Sequence, residues 1–175
     1  MRLIEKPKHG EFPPYANMYI QLLPDDGLVL KHLKDNFMAT KKLILSLPEE
    51  KLNYKYAANK WTIREVLVHI IDDERIYAYR ALCFARNDKT ELPGFEQEDY
   101  AFYSGAVERS IENIFEEYEA VRNSTIALFN GLPGNSFLRS GTANNNKATV
   151  RALAYHIAGH ELHHINIIKE KYLQL

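Results

Sequence analysis

Four stretches of this chain, each roughly 20 residues long, repeat their apolar residues at helical period, and none alternates apolar and polar residues as a half-buried strand does. That leaves few folds open. A helix with one apolar stripe must bury it, and four of comparable length bury theirs together as a bundle, so the expected class is all-α. The first stripe is Leu28, Leu30, Leu33, Phe37, Ile44 and Leu47; it ends before Pro48, with Asp25 or Asp26 available as N-cap. The second has the clearest start. Thr62-Ile63-Arg64-Glu65 has the form of a capping box, Trp61 and Val66 are spaced as a hydrophobic staple, and the pattern runs to about Ala85. The third begins near Ser110, carries Ile111, Ile114, Phe115, Tyr118, Val121, Ile126 and Phe129, and is stopped by Gly131 and Pro133. Thr149 can cap the fourth, from Val150 to about Leu173.

Between these helices the sequence predicts loops. Asn87 to Gly105 is long, rich in acids and tyrosines, and of the length that tends to be functional. Gly134 to Lys147 holds two glycines and four asparagines. Residues 1–24 are rich in Pro and Tyr and are expected to lie irregularly over the bundle. No linker or repeat divides the 175 residues, which suit one domain over 1–175.

Charge and cysteine content exclude several function classes. Basic residues number 22 and acidic residues 23, a formal net charge of −1, so there is no cationic stripe for nucleic acid or for an anionic membrane surface. Cys83 is the only cysteine, so no internal disulfide can form. No apolar run approaches the ~20 residues that span a bilayer, and the first 15 residues lack a signal-like core, so a cytoplasmic protein is expected.

The chemistry concentrates in the fourth helix. Four of the seven histidines fall between His156 and His164. Residues four apart share a helix face, so His160 and His164 point the same way, with His156 one turn earlier. His163 is rotated by about 100° from His164. Leu153, Ile157, His160, His164 and Ile167 share one face, which puts two imidazoles where the bundle interior should be. Burying them costs free energy unless each ring nitrogen has a partner, and one metal ion supplies a partner to both. Core histidines hydrogen-bonded to Tyr or backbone are the other reading. Two imidazoles under-fill a coordination sphere, so a third ligand should come from another helix. His9 lies in the irregular start; His32 in helix one and His69 in helix two are both open on geometry, which tilts toward His69 because Glu65, Asp72 and Asp73 surround it with polar neighbours.

The segment Trp61-Thr62-Ile63-Arg64-Glu65-Val66-Leu67-Val68-His69 resembles the second-helix motif of the DinB/YfiT-like superfamily, in which a Trp-Ser/Thr-Ile start precedes a metal-binding His. His160-Glu161-Leu162-His163-His164 resembles the same family's closing H-x-x-x-H motif. The resemblance runs from helix one to helix four and implies a DinB-like four-helix bundle with one divalent ion, zinc or nickel, on His69, His160 and His164. Many members carry a Gln shortly after the last His where this chain has Asn166, a departure that leaves the ligands intact. Known members do not share one reaction. The resemblance implies a metal-dependent enzyme acting on a small molecule, as a hydrolase or as a transferase using a low-molecular-weight thiol, or else a non-catalytic metal-binding protein of stress response or interaction. A homodimer is a further implication of family habit.

His160-Glu161-Leu162-His163-His164 also matches H-E-x-x-H, the metalloprotease helix. Only eleven residues follow His164 and none is His, so the third protease ligand is missing. Glu161-x-x-His164 suits half of a di-iron bundle, but no second E-x-x-H exists. Glu161 is therefore expected either as an exposed helix acid or, less readily, beside a metal-bound water. Asp73, one turn after His69, could orient it or bind substrate, or be a surface acid. Arg80, two turns further, could clamp a carboxylate or form a surface ion pair. Cys83 reads as a small apolar residue, since no partnering His is evident.

Overall fold

The computed structural model describes all 175 residues, Met1 to Leu175. In chain order the elements are α1 (Asn17–Ile20), α2 (Val29–Leu45), α3 (Glu49–Leu52), α4 (Ile63–Ala85), α5 (Gln97–Tyr103), α6 (Ile111–Gly131), the strands β1 (Ser140–Ala143) and β2 (Asn146–Thr149), and α7 (Val150–Ile167), which widens into a π-helical turn over Ile168–Leu173. The long helices α2, α4, α6 and α7 form the four-helix bundle. Helices α4 and α7 begin where their caps require. The Thr62 hydroxyl accepts from the Glu65 amide at 3.1 Å, and the Glu65 carboxylate accepts from the Thr62 amide at 2.6 Å. Thr149 Oγ1 accepts from the Ala152 amide at 3.3 Å. Ser110 does the same for α6 through the Asn113 amide.

Helix α4 packs on α6 and α7, and α2 packs on the same two helices, so α2 and α4 are diagonal partners, as are α6 and α7. The apolar core falls into two clusters. One takes Leu30 and Leu33 from α2, Tyr77 and Phe84 from α4, Phe129 from α6 and Val150 to Ala158 from α7. The other takes Ile44 from α2, Ile63 to Ile71 from α4, Ile114 to Val121 from α6 and Ile165 from α7. Each helix thus runs from one cluster to the other; α2 and α7 run one way and α4 and α6 the opposite way. The parallel neighbours α4 and α6 need a crossover, and residues 86–110 provide it. Between the two clusters lies a layer of buried ionisable side chains: His69, Asp73, Glu74, Arg122, His156, His160 and Glu161.

Four local expectations change. Neither Asp25 nor Asp26 is the N-cap of the first bundle helix. Leu28 holds that position, and Asp26 instead accepts from the Leu28 amide at 2.8 Å and pairs with His32 at 2.8 Å. Residues 1–24 are not wholly irregular: a 3₁₀ turn over Pro14–Ala16 leads into α1, which lies along α7. The expected loop between Asn87 and Gly105 contains α5. The expected loop between Gly134 and Lys147 contains a 3₁₀ turn and most of a hairpin, with Ala143 opposite Asn146. Asn144 and Asn145 supply its turn at φ 49° and 59°, the left-handed pair that two-residue hairpin turns need and that Asn tolerates. The hairpin then docks on α4 at Gly141, where a Cβ would come within 2.1 Å of the Phe84 ring. These elements are too short and too weakly patterned to stand out from a loop by periodicity. No helix is long and apolar enough to cross a membrane.

Candidate metal centre

Helices α4 and α7 are antiparallel neighbours, and their facing sides bring His69 against His160 and His164. The Nε2 atom of His160 is 3.2 Å from that of His69 and 3.1 Å from that of His164. One ligand atom from each of the three rings lies within 4.8 Å of the others. Tetrahedral zinc with bonds of about 2.0–2.1 Å places its nitrogens about 3.3–3.4 Å apart, so two of the three spacings are nearly at coordination distance. The donor chemistry fits an ion as well. An unprotonated imidazole nitrogen has one lone pair, so His160 Nε2 cannot satisfy both neighbours by hydrogen bonding. A cation meets all three lone pairs at once. Burial pushes the His160 imidazolium down to about 3 and also lowers His69 and His164, so the rings are neutral, the form in which imidazole binds metal.

His32, the other third-ligand candidate, lies apart on the surface with Asp26. His163 packs edge-on against Tyr19 at 5.3 Å and is outside the trio. His156 is buried, stacks on Tyr77 at 3.7 Å and faces Asp73. Asp73 is buried as well. It is neither a surface acid nor an orienter of His69: its Oδ2 is 3.4 Å from Nδ1 of His160 and 3.4 Å from Nε2 of His156. Burial opposes its charge, yet the imidazoles of His160, His156 and His69 hold it well below the usual carboxylate range. Arg80 forms no surface ion pair. It is buried, donates to the Pro93 carbonyl at 2.9 Å and lies over the Tyr77 ring at 4.9 Å. It lines a cavity of about 20 Å³ with Tyr15, Tyr77 and His156, room for one water, and a more open cleft of about 300 Å³ with Arg75, Pro93 and Phe95. Cys83 is half-buried against the core.

Glu161 is neither exposed nor aimed at the three histidines. It is fully buried, accepts from Thr40 Oγ1 at 3.0 Å and pairs with Arg122 at 2.9 Å. The turn of about 100° between neighbouring helix residues carries it from the α4 side, where His160 points, into the bundle centre, where the diagonal helix α6 offers Arg122.

A model of the DinB superfamily matches residues 32–168. The chain belongs to the DinB superfamily. A protein of Oceanobacillus iheyensis, named as a proposed metal-dependent hydrolase, is 28 % identical over 145 residues, 80 % of this chain and 81 % of its own. YfiT of Bacillus subtilis, described as having an unusual four-helix bundle topology and a proposed metal-dependent hydrolase activity, superposes with a TM-score of 0.71 over 97 % of this chain and 93 % of its own, at 16 % identity. That likeness shows the fold. The family match begins at residue 32, and part of the segment before it reaches the site. Tyr19 of α1 sets its ring edge on His156 at 5.0 Å and His160 at 5.3 Å. Helix α1 comes this close because residue 159 is Gly: a Cβ there would lie 2.2 Å from the Tyr19 carbonyl oxygen. Gly159→Ala should therefore push α1 off α7 and lower stability by about 1–3 kcal/mol, the usual cost of overpacking. Thermal unfolding of the purified variant checks this; an unchanged melting temperature would count against close docking of α1.

Sequence reasoning did not find the other wall. Trp61 packs its ring 4.8 Å from that of His69, and its Nε1–H donates to Glu98 of α5 at 3.1 Å. Together with His164, Lys60 and Tyr56 these residues line a cleft of about 180 Å³. The length of the 87–105 segment and its acids and tyrosines are the signal in the sequence that this stretch matters.

Proposed function

We propose that this DinB protein holds one divalent ion, zinc or nickel, on His69, His160 and His164 and uses it to hydrolyse a small molecule. One observation carries the reading: three neutral imidazoles from two helices converge, and one of them, His164, forms part of a cleft that opens to solvent. The hydrolase names of the Oceanobacillus and Bacillus proteins support the same class. When bound with a position left open, such an ion acts as a Lewis acid and makes water nucleophilic near neutral pH. The chain's own residues do the rest. Burial keeps the ligand rings deprotonated. Trp61 walls the His69 side, and Tyr56 and Tyr172 give the cleft aromatic surface for an apolar substrate part. Glu98 lines the same cleft and accepts from Trp61 Nε1 through Oε2, so it is the carboxylate there that could take a proton from a nucleophile.

Trp61 is the only tryptophan, so its emission reports on the site alone. Ni²⁺ added to the metal-free protein is expected to quench it saturably with a stoichiometry of one, and excess chelator should restore it. Quenching that never saturates would remove the metal reading. Metal-loaded protein should then turn over members of an ester, amide and lactone panel. Tight metal binding with no turnover across that panel, and a melting temperature that falls on chelation, would assign the ion to structure instead.

A further inference from the structure

The Asp73 carboxylate stands between two imidazoles that belong to one helix. His156 and His160 are a turn apart on α7, their rings 5.6 Å apart and within 12° of parallel, so both present an edge to Oδ2 of Asp73 at 3.4 Å. All three side chains are buried. Asp73 Oδ2 and both ring nitrogens of His156 have no hydrogen bond at this separation. A buried carboxylate oxygen left that way costs more than an ordinary mutation does, so the arrangement needs a reason. His156 is not free to swing toward the other histidines. Tyr77 stacks on its face at 3.7 Å and Tyr19 closes its edge at 5.0 Å.

We propose that Asp73 is a positioning residue for the metal centre: its Oδ2 accepts the Nδ1–H of His160, which fixes the tautomer whose Nε2 lone pair faces the ion, and His156 donates Nε2–H to the same oxygen and holds the carboxylate in place. The proposal rests on the reading of His69, His160 and His164 as ligands. The contacts are at least half an ångström longer than a charge-assisted hydrogen bond, and Asp73 closes them by following His160 as it moves inward to complete coordination and by shortening the gap. A carboxylate on the far nitrogen also makes an imidazole a better donor to metal. Helix α4 then delivers two things from one face, the ligand His69 and, one turn on, the group that orients a ligand on α7. His156 acts only through Asp73.

The test is the affinity for Zn²⁺, by competition with a chromophoric chelator, and the visible absorption of the Co²⁺ form, for the full chain and for Asp73→Ala, Asp73→Asn and His156→Gln. Asp73→Ala should weaken Zn²⁺ binding by about 10–100-fold and shift the Co²⁺ bands. Asp73→Asn, which keeps volume and an acceptor oxygen but loses the negative charge, should fall between Asp73→Ala and the parent, and His156→Gln should move affinity in the same direction by less. A role confined to packing would instead lower the melting temperature of the metal-free protein and leave affinity and spectrum alone. Long-range ¹H–¹⁵N NMR of the metal-free parent needs no variant: His160 should carry its proton on Nδ1, and a proton on Nε2 overturns the proposal. If the parent binds metal and Asp73→Ala matches it in affinity and spectrum, the positioning role falls and the metal reading stands. If the parent binds neither Zn²⁺ nor Co²⁺, both fall.

Discussion

His160→Ala is expected to weaken binding of a divalent ion by roughly 10²–10³-fold. Structural four-ligand zinc sites release about 10–16 kcal/mol, so one ligand accounts for about 2.5–4 kcal/mol, which is close to that fold-change. His160 is the ligand to choose because it is central: its Nε2 is 3.2 Å from that of His69 and 3.1 Å from that of His164. Removing it separates the two remaining ligands as well as subtracting one. Isothermal titration of Zn²⁺ into the metal-free variant measures the loss, with His163→Ala and His32→Ala as controls. His163 faces Tyr19, and His32 pairs with Asp26 at the surface, so both controls should bind as the parent does. Parent-like affinity in His160→Ala would mean that the ion, if bound, sits elsewhere. Any hydrolytic activity found in the parent should disappear in the same variant.

Arg122→Met should destabilise the fold by about 3–5 kcal/mol without touching metal affinity. Arg122 is almost fully buried at the centre of the bundle. It binds Glu74 of α4 through Nε and Nη2, pairs with Glu161 of α7 at 2.9 Å, donates to the Tyr118 hydroxyl at 3.1 Å, and donates to the Leu33 carbonyl of α2. One guanidinium thus ties all four bundle helices together. Taking it away leaves two carboxylates buried and uncompensated, which is the costly way to break such a cluster. The cluster already holds one carboxylate more than it holds cations. Burial and the Glu74 charge push Glu161 up against the opposing pull of Arg122. A carboxylate whose pKa is raised on folding loses stability as pH climbs from its unfolded value through its folded one, so at neutral pH the Glu161 carboxyl opposes folding. Glu161→Gln removes that titrating group and should hold or raise the melting temperature at pH 7. A triple change of Glu74, Arg122 and Glu161 to apolar residues of similar volume should restore most of what Arg122→Met loses. Thermal and urea unfolding of the three variants decides. A mild effect of Arg122→Met, within about 1 kcal/mol, would show that water reaches the cluster.

Some features were legible because they are written in neighbouring residues. Thr62 and Glu65 satisfy each other's backbone within one helical turn, and the start of α4 follows from those two residues alone. The pairing of His160 with His164 follows from a spacing of four. The relation of Asp73 to His69 looked the same by that rule, and there it misled. A helix face says which side chains point the same way, not what stands opposite them. Opposite Asp73 stands α7, and the carboxylate meets His160 and His156 instead of the histidine on its own helix. Glu161 failed for the same reason. Its neighbours in sequence gave no sign of Arg122, which comes from the diagonal helix.

Taken alone, the sequence determined four helices, the cap of α4, a helix face carrying two histidines, and, through its family resemblance, the third. Periodicity and capping are local interactions, and a single strand of text contains them. Only the tertiary structure decided which acid serves which histidine, that Glu161 and Glu74 share one buried arginine, that an N-terminal tyrosine and the lone tryptophan wall the site from opposite sides, and that the parallel packing of α4 and α6 requires a crossover. Those are contacts between groups dozens of residues apart, fixed by how two apolar clusters close around a polar layer, and no short-range pattern encodes them.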